Sequence, residues 1–541
     1  MPDLTFITAT PPTPNGELHI GHLAGPYVAA DVYRRYVAAT GGRAVMTTGQ
    51  DDHQSYVQVR GLRDGRAAED VADGYAERIE AAWRDVGAIF DVSLRPRRDD
   101  EYAAFVQHFF LTLHRRGALV ERSRPLPYCV PCDRWLYEAY VTGGCPHCKA
   151  SSGGNACEVC GRPNSCGDLI DPACVVCGEP AELREQRRLF FPLARYEQQL
   201  AAYWERVTMP PHLRVLCEQM RRDGLPEIAV SHPADWGVPV PAEVGDFADQ
   251  RIYVWFEMAP GYLLQARQAA QRNELGDESA LMAAAGSFVQ FFGFDNGYFH
   301  AVLFPAMFMA YDATVRLPDH FVVNEFYRLE GKKFSTSRRH AIWASELLAT
   351  TDPDVLRFHL LADRPDGRQT SFSLPALEAT REHLRTHWDG WIDRLTTAIV
   401  RDADGVVPAY ELSGPSWEAL AGTLRRTLAD LRAAYELPRF DTRRITALLD
   451  ELVQLGADHG HLHGHYAALS PRDPRHLAGL VAQLVVAQAL AAWAAPVLPG
   501  AAARLAGLIG HSHPLAVDET ALQPPRPGRR IRRPDGPVFG A

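Results

Sequence analysis

His19 and His22 stand three residues apart with Ile20 and Gly21 between them, just after Asn15 and Gly16. Phosphates favour such a place when a strand ends and a helix begins there, because free backbone N–H groups and the positive end of the helix dipole converge. Gly21 lets a flat ligand lie against the backbone. A second set is sulfur: Cys129/Cys132, Cys145/Cys148, Cys157/Cys160 and Cys174/Cys177, with Cys166, Cys217 and His147 left over. Four Cys-x-x-Cys knuckles make two closed tetrathiolate zinc sites, which are structural; a redox role would need only one pair. A third is Lys332, Lys333, Ser335, Ser337 and Arg338, a lysine and hydroxyl loop suited to closing over a triphosphate. His459, His461, His463 and His465 alternate as metal ligands can, but on a loop that pattern reads as solvated side chains.

The elements around these residues are legible. Leu4-Thr5-Phe6-Ile7-Thr8 is a strand, and Val28, Val32 and Tyr36 recur at helical spacing after it. Ala44 to Thr48 is a second strand running into Gln50 and Asp51, and Ile252 to Glu257 reads as another. Alternating strands and helices predict a parallel-sheet nucleotide fold. Leucine and alanine recur at helical spacing through 420–452 and 477–508, predicting a helical bundle. Pro524 to Pro534, with five arginines among them, predict a disordered basic tail. The chain has 541 residues, 46% hydrophobic, with a formal net charge of −10, and no run of about 18 apolar residues. A membrane span and a signal peptide are not expected, and the reading is of a cytoplasmic protein.

Asn15-Gly16 with His19-Ile20-Gly21-His22 resembles the HIGH signature of class I aminoacyl-tRNA synthetases. Gly331 to Arg338 resembles their KMSKS signature in altered form, and the block between is most similar to methionyl-tRNA synthetases. The resemblance thins after about Leu374. It implies an α/β fold: a Rossmann-type catalytic domain in two halves (1–115 and 206–320) split by a zinc-binding insertion (116–205). A KMSKS-like loop and stem-contact region (321–374), a bundle of the anticodon-binding kind (375–516) and the basic tail (517–541) follow. It implies that an amino acid is activated by ATP, with Mg²⁺, as aminoacyl-AMP. His19, His22 and Lys333 would be catalytic. Asn15, Gly21, Gly293, Asp295, Ser335, Ser337 and Arg338 would hold ATP. Thr13, Asp51, Trp255, Met258, Tyr262, Asn296 and His300 would line the amino-acid pocket, with Asp51 on the ammonium group. It also implies interleaved zinc sites: Cys145, Cys148, Cys157 and Cys160 for one ion, and Cys129, Cys132, Cys174 and Cys177 for the other.

The departures lie where substrate identity is decided. Thr13 replaces a tyrosine, Met258 an alanine, Ala259 a proline and Asn296 an apolar residue. Met258 shrinks the pocket, and a buried unpaired amide at Asn296 would cost roughly 1–3 kcal/mol, so a smaller or more polar amino acid than methionine is expected. Thr336 replaces the second KMSKS lysine. Gly390 and Arg394 fall where relatives read the anticodon with asparagine and arginine. These changes favour a specialised paralogue of the hydrazine-synthetase type. It would pass the aminoacyl group to a small amine or hydroxylamine in natural-product biosynthesis, with a separate cupin protein as partner. A methionine–tRNA ligase charging tRNA is the alternative, and a non-catalytic binding module the third reading.

Overall fold

The computed structural model describes residues 4–333 and 341–540. Its centre is a five-stranded parallel sheet. In chain order the strands are β1 (Leu4–Ala9), β2 (Arg43–Gly49), β3 (Val92–Leu94), β4 (Ala285–Gly293) and β5 (His320–Asn324). In space the order is β5-β4-β1-β2-β3. The chain therefore winds outward on one side of β1, then returns to wind outward on the other. The gap between the carboxyl ends of β1 and β4 is the switch point where ligands bind in such sheets. Every residue of β1 is buried, as expected of a strand covered on both faces.

Helix α1 (Val28–Ala39) follows β1, entered through a short helical turn, Ile20–His22, and a π-turn, Leu23–Tyr27. Pro26 lies within that turn and Gly25 leaves helical geometry, so the extra residue is absorbed where proline cannot donate to the helix ladder. A Cβ on Gly25 would press on the Asn324 side chain at 3.0–3.3 Å, so the absence of one lets this turn pack against the end of β5. Helix α2 (Ser55–Asp64) follows β2, and helix α3 (Val254–Arg272) lies against it, with Thr47 Oγ1 donating to Gln265 Oε1 (3.0 Å). The insertion is carried on a long antiparallel ribbon, Val120–Cys129 against Glu182–Pro192. At its end is a three-stranded sheet of Glu138–Gly144, Ser151–Gly154 and Ile170–Cys174.

The bundle includes α4 (Gly390–Asp402), α5 (Thr442–Gly464) and α6 (Pro474–Trp493). Trp391 on α4 sits so close to Gly456 on α5 that an added Cβ would lie 2.2 Å from the indole. Among the described residues α6 is the one helix long and apolar enough to cross a membrane, and it is buried inside the bundle.

Three expectations are corrected. The strand read over 252–257 ends at Ile252, and α3 begins at Val254, because Tyr253 caps the helix in an extended conformation. The histidine run is not a loop: His459, His461 and His463 belong to α5, and His459 is buried. The tail is not disordered over its described part. Val517, Ile531, Val538 and Phe539 are buried, and Asp389 accepts backbone N–H groups from Val538, Phe539 and Gly540 at 2.9–3.0 Å. Apolar residues spaced among the prolines and arginines give this segment a face to bury, which its composition concealed.

Candidate functional site

The two histidines end the loop that follows β1, at the turn that leads into α1. Their rings stack at 3.7 Å, and the His19 backbone N–H donates to His22 Nδ1 (3.1 Å). That bond occupies Nδ1 as an acceptor, so the neutral imidazole carries its proton on Nε2. Burial pulls the His22 pKa down to about 4, so at neutral pH it is an uncharged N–H donor. Asn15 and Thr13 are half-buried in the preceding turn, where the Asn15 N–H donates to Thr13 O (2.9 Å). Gly21 is half-buried between the histidines.

Gly293 ends β4, the neighbour of β1, and Asp295 follows. A Cβ on Gly293 would lie 2.6 Å from Asp295 Oδ1, so only glycine leaves this carboxylate where it is. Burial raises the Asp295 pKa to about 6. Asn296 finds its partner in the protein: its amide donates to Asp295 Oδ1 (3.4 Å), and the side chain is half-buried. It is therefore not the buried unpaired amide that the sequence suggests.

Lys333 ends a short strand, Lys332–Lys333, paired with Tyr327–Leu329. Ser335, Ser337 and Arg338 lie outside the described residues, as does the Lys333 side chain. The chain returns beside the histidines: Ile20 N–H donates to Ile342 O (3.2 Å), Ala344 N–H to Leu18 O (2.8 Å), and His19 bridges Trp343. The segment after the second signature is thus tied to the histidine loop at the C-terminal edge of the sheet.

The residues expected at the amino-acid pocket pack mainly among aromatic side chains. Trp255 stacks on Phe299 at 3.6 Å; His300 stacks on Phe292 at 4.2 Å and meets Tyr262 edge-on at 5.6 Å. His300 Nδ1 pairs with Gln290 Oε1 (3.2 Å), and burial lowers its pKa to about 3. Met258, one turn before Tyr262 on α3, is buried in the apolar core. Asp51 lies past the end of β2 and is tied to the histidine loop by its N–H to Pro12 O (2.9 Å). Its carboxylate is buried and its pKa is driven well up, first by burial and then by Glu257, Glu138 and Asp52.

Glu257 and Glu138 are residues the motifs do not single out. Glu257 is buried on α3, with His53 Nδ1 at 2.8 Å and the Tyr102 hydroxyl at 3.3 Å. Glu138 is buried on the insertion and accepts from Ser55 Oγ (3.0 Å).

The zinc sites are separate and closed. Cys129, Cys132, Cys174 and Cys177 form one group and Cys145, Cys148, Cys157 and Cys160 the other, each with its sulfurs within 4.8 Å of one another. Neighbouring sulfurs stand at 3.4–4.0 Å. Tetrahedral Zn–S bonds of about 2.3 Å require roughly 3.8 Å, so the residues fit the ion. After every knuckle one residue turns to positive φ: Asp133, Lys149, Gly161 and Gly178. Cys166 is not part of either group; it donates to Gly154 O (3.2 Å).

The family model described as tRNA synthetases class I (M) matches residues 5–395. A methionine–tRNA ligase of Christiangramia forsetii is 30% identical over 97% of this chain and 75% of its own length. One from Pyrococcus furiosus is 33% identical over 74% of this chain, and the match spans 58% of the relative's length. The fold is similar to that of Mycobacterium tuberculosis methionyl-tRNA synthetase in complex with methionyl-adenylate, with a TM-score of 0.81 at 20% identity over 99% of each chain. With the family model covering the sheet, the insertion and the start of the bundle, the chain belongs to the class I (M) tRNA synthetases.

Proposed function

We propose that the protein condenses an amino acid with ATP, as its Mg²⁺ complex, to aminoacyl-AMP and pyrophosphate, and then transfers the aminoacyl group to tRNA. The observation that carries the reading is the stacked His19–His22 pair at the switch point, with a neutral Nε2 donor on His22. The carboxylate of the amino acid attacks the α-phosphorus. The protein need supply only alignment and donors where charge accumulates on the phosphates. His19, His22 and Lys333 are those donors, with Ser335, Ser337 and Arg338 on the pyrophosphate side and Asn15, Gly21, Gly293 and Asp295 beside the nucleotide. Asp51 holds the ammonium group, and Trp255, Tyr262 and His300 the side chain.

Transfer to tRNA is the activity named for the similar ligases, and methionine is the first amino acid to assay. A second reading, transfer to a small amine or hydroxylamine, draws on one observation in the bundle. Gly390 stands where relatives carry asparagine, and the Arg394 guanidinium lies only 3.3 Å from where a Cβ on Gly390 would be. The arginine thus folds along its own helix and is not presented beside a second reading group.

ATP–pyrophosphate exchange across the amino acids, followed by addition of total tRNA or small hydroxylamines, separates the readings. His22→Ala is expected to lower exchange on the order of 10²–10³-fold, the typical effect of losing one such donor, and Lys333→Ala similarly. Near-normal exchange in both variants sinks the assignment. No exchange with any amino acid leaves a binding module.

A further inference from the structure

Glu17 stands two residues before His19, where three parts of the chain meet. The first is the histidine loop itself. The second is the helix Ala68–Asp85, and the third is the short helix Ala344–Leu348, which follows the Lys333 signature in the chain. Glu17 Oε1 accepts from Arg78 Nη1 on the longer helix (2.7 Å), and Glu17 Oε2 accepts from Ser345 Oγ on the shorter one. Both oxygens of one carboxylate are thus taken, each by a different element. The partners stand 61 and 328 residues away in the chain. Arg78 is oriented in turn, with its guanidinium 5.6 Å from the centre of the Tyr75 ring.

Stability does not account for this arrangement. The Arg78 side chain is 61% exposed and Ser345 lies on the surface, and exposed pairs contribute little to folding. Buried Ala344 and Leu347 already share one apolar cluster with Ile79 and Ala82 of the longer helix. What Glu17 adds is a fixed place for the backbone that carries His19. On either side of His19, Leu18 O accepts from Ala344 N–H and Ile20 N–H donates to Ile342 O. From there the path is one bond long. The His19 N–H donates to His22 Nδ1 (3.1 Å), and that bond puts the His22 proton on Nε2. Misplacing a reacting group by about 1 Å costs on the order of 10²-fold in rate. A surface carboxylate of small value to folding therefore has leverage on the chemistry.

We infer that Glu17 is a positioning residue: together with Arg78 and Ser345 it fixes the His19 backbone and, through it, the Nε2–H form of His22. The inference rests on the reading that His22 donates to the phosphates of ATP. Glu17 itself touches no substrate and acts through His19.

The test compares Glu17→Ala, Glu17→Gln and Ser345→Ala in the full chain. In ATP–pyrophosphate exchange Glu17→Ala is expected to lower kcat about tenfold or more, with the KM for the amino acid unchanged. Glu17→Gln keeps an oxygen for the Ser345 hydroxyl and should restore most of the rate. Ser345→Ala removes one bond without altering the histidine loop, so the test survives if Glu17→Ala fails to fold. It should lower kcat by a smaller factor, and adding it to Glu17→Ala should cost nothing further. The imidazole nitrogen NMR signals of His22, identified by their loss in His22→Ala, report its tautomer without turnover. The wild type should show a bare Nδ1 and a protonated Nε2, and in Glu17→Ala the two signals should converge as the tautomers mix. Normal exchange in both Glu17→Ala and Ser345→Ala overturns the inference. So does a slowed Glu17→Ala whose His22 signals match the wild type, or a change confined to the KM for the amino acid. No exchange by the wild type with any amino acid, while the His22 signals still respond to Glu17→Ala, leaves the role of Glu17 standing and removes the adenylation reading instead.

Discussion

At the scale of single residues, environment sets what each group can do. His22 is a neutral donor because the His19 N–H occupies its Nδ1 and burial holds its pKa near 4. Glu138 shows the opposite sign. Burial raises its pKa from 4.5 to about 8, with Ser55 opposing. A carboxyl that holds its proton more tightly when folded binds more protons in the native state. Its contribution to stability is therefore full below about pH 4.5 and is lost as pH rises to about 8, by at most about 1.4 kcal/mol for each pH unit crossed. Glu138→Gln should flatten this loss. Comparing melting temperatures at pH 5 and pH 8.5 checks it, and an unchanged difference between the two values would show that Glu138 is not the group responsible. The motifs made His19, His22 and Asp51 legible, because strand–turn–helix order and local spacing identify them. The burial of Glu138 was not legible, since even the Ser55 that bonds it stands 83 residues away.

At the scale of elements, the zinc insertion and the bundle make separate predictions. The two sulfur groups interleave: the inner pairs, Cys145/Cys148 and Cys157/Cys160, share one site, and the outer pairs enclose it in sequence. Cys129→Ser and Cys145→Ser should therefore each lower zinc content from two ions to one per chain, measured by elemental analysis, and a strong chelator should remove both and unfold the insertion. Loss of both ions from either single variant would contradict two independent sites. In the bundle, the contact of Gly456 with Trp391 leaves no room for a methyl group. Gly456→Ala is expected to destabilise by about 1–3 kcal/mol through overpacking, read from urea unfolding. The Cys-x-x-Cys spacing announced the knuckles. The helical periodicity announced the bundle, but could not tell that the histidine run belongs to α5, because glycines alternating with histidines suppress the helix signal.

At the scale of the whole molecule, one buried arginine joins the nucleotide fold to the bundle. Arg357 and Asp31 are both fully buried and paired at 2.8 Å. The same guanidinium donates to Val497 O (2.9 Å), Pro496 O (3.0 Å) and Val86 O (3.2 Å). Arg35 Nε also reaches Asp31 Oδ2 (2.7 Å), so without Arg357 the buried carboxylate keeps one cation, and the loss is at most the roughly 3–5 kcal/mol of breaking a buried pair. Arg357→Met should lower global stability by that order. Proteolysis should then separate a bundle fragment from the sheet, whereas an unchanged digestion pattern would mean that the apolar contacts alone hold the two together. The last described residues add to this joint, with Phe539 buried against Trp388 at 5.0 Å and Asp389 holding three backbone N–H groups.

By itself the sequence determined the order of elements, the place of the phosphate signature and the knuckles. Those depend on periodicity, turns and spacings of a few residues, which are local properties of a chain. Only the tertiary structure decided which distant groups share a site. His53 meets Glu257 across 204 residues, and Ser55 on α2 meets Glu138 on the insertion across 83. Burial and shifted pKa values are properties of such meetings. They arise from desolvation by neighbours far apart in the chain, and no local spacing encodes them.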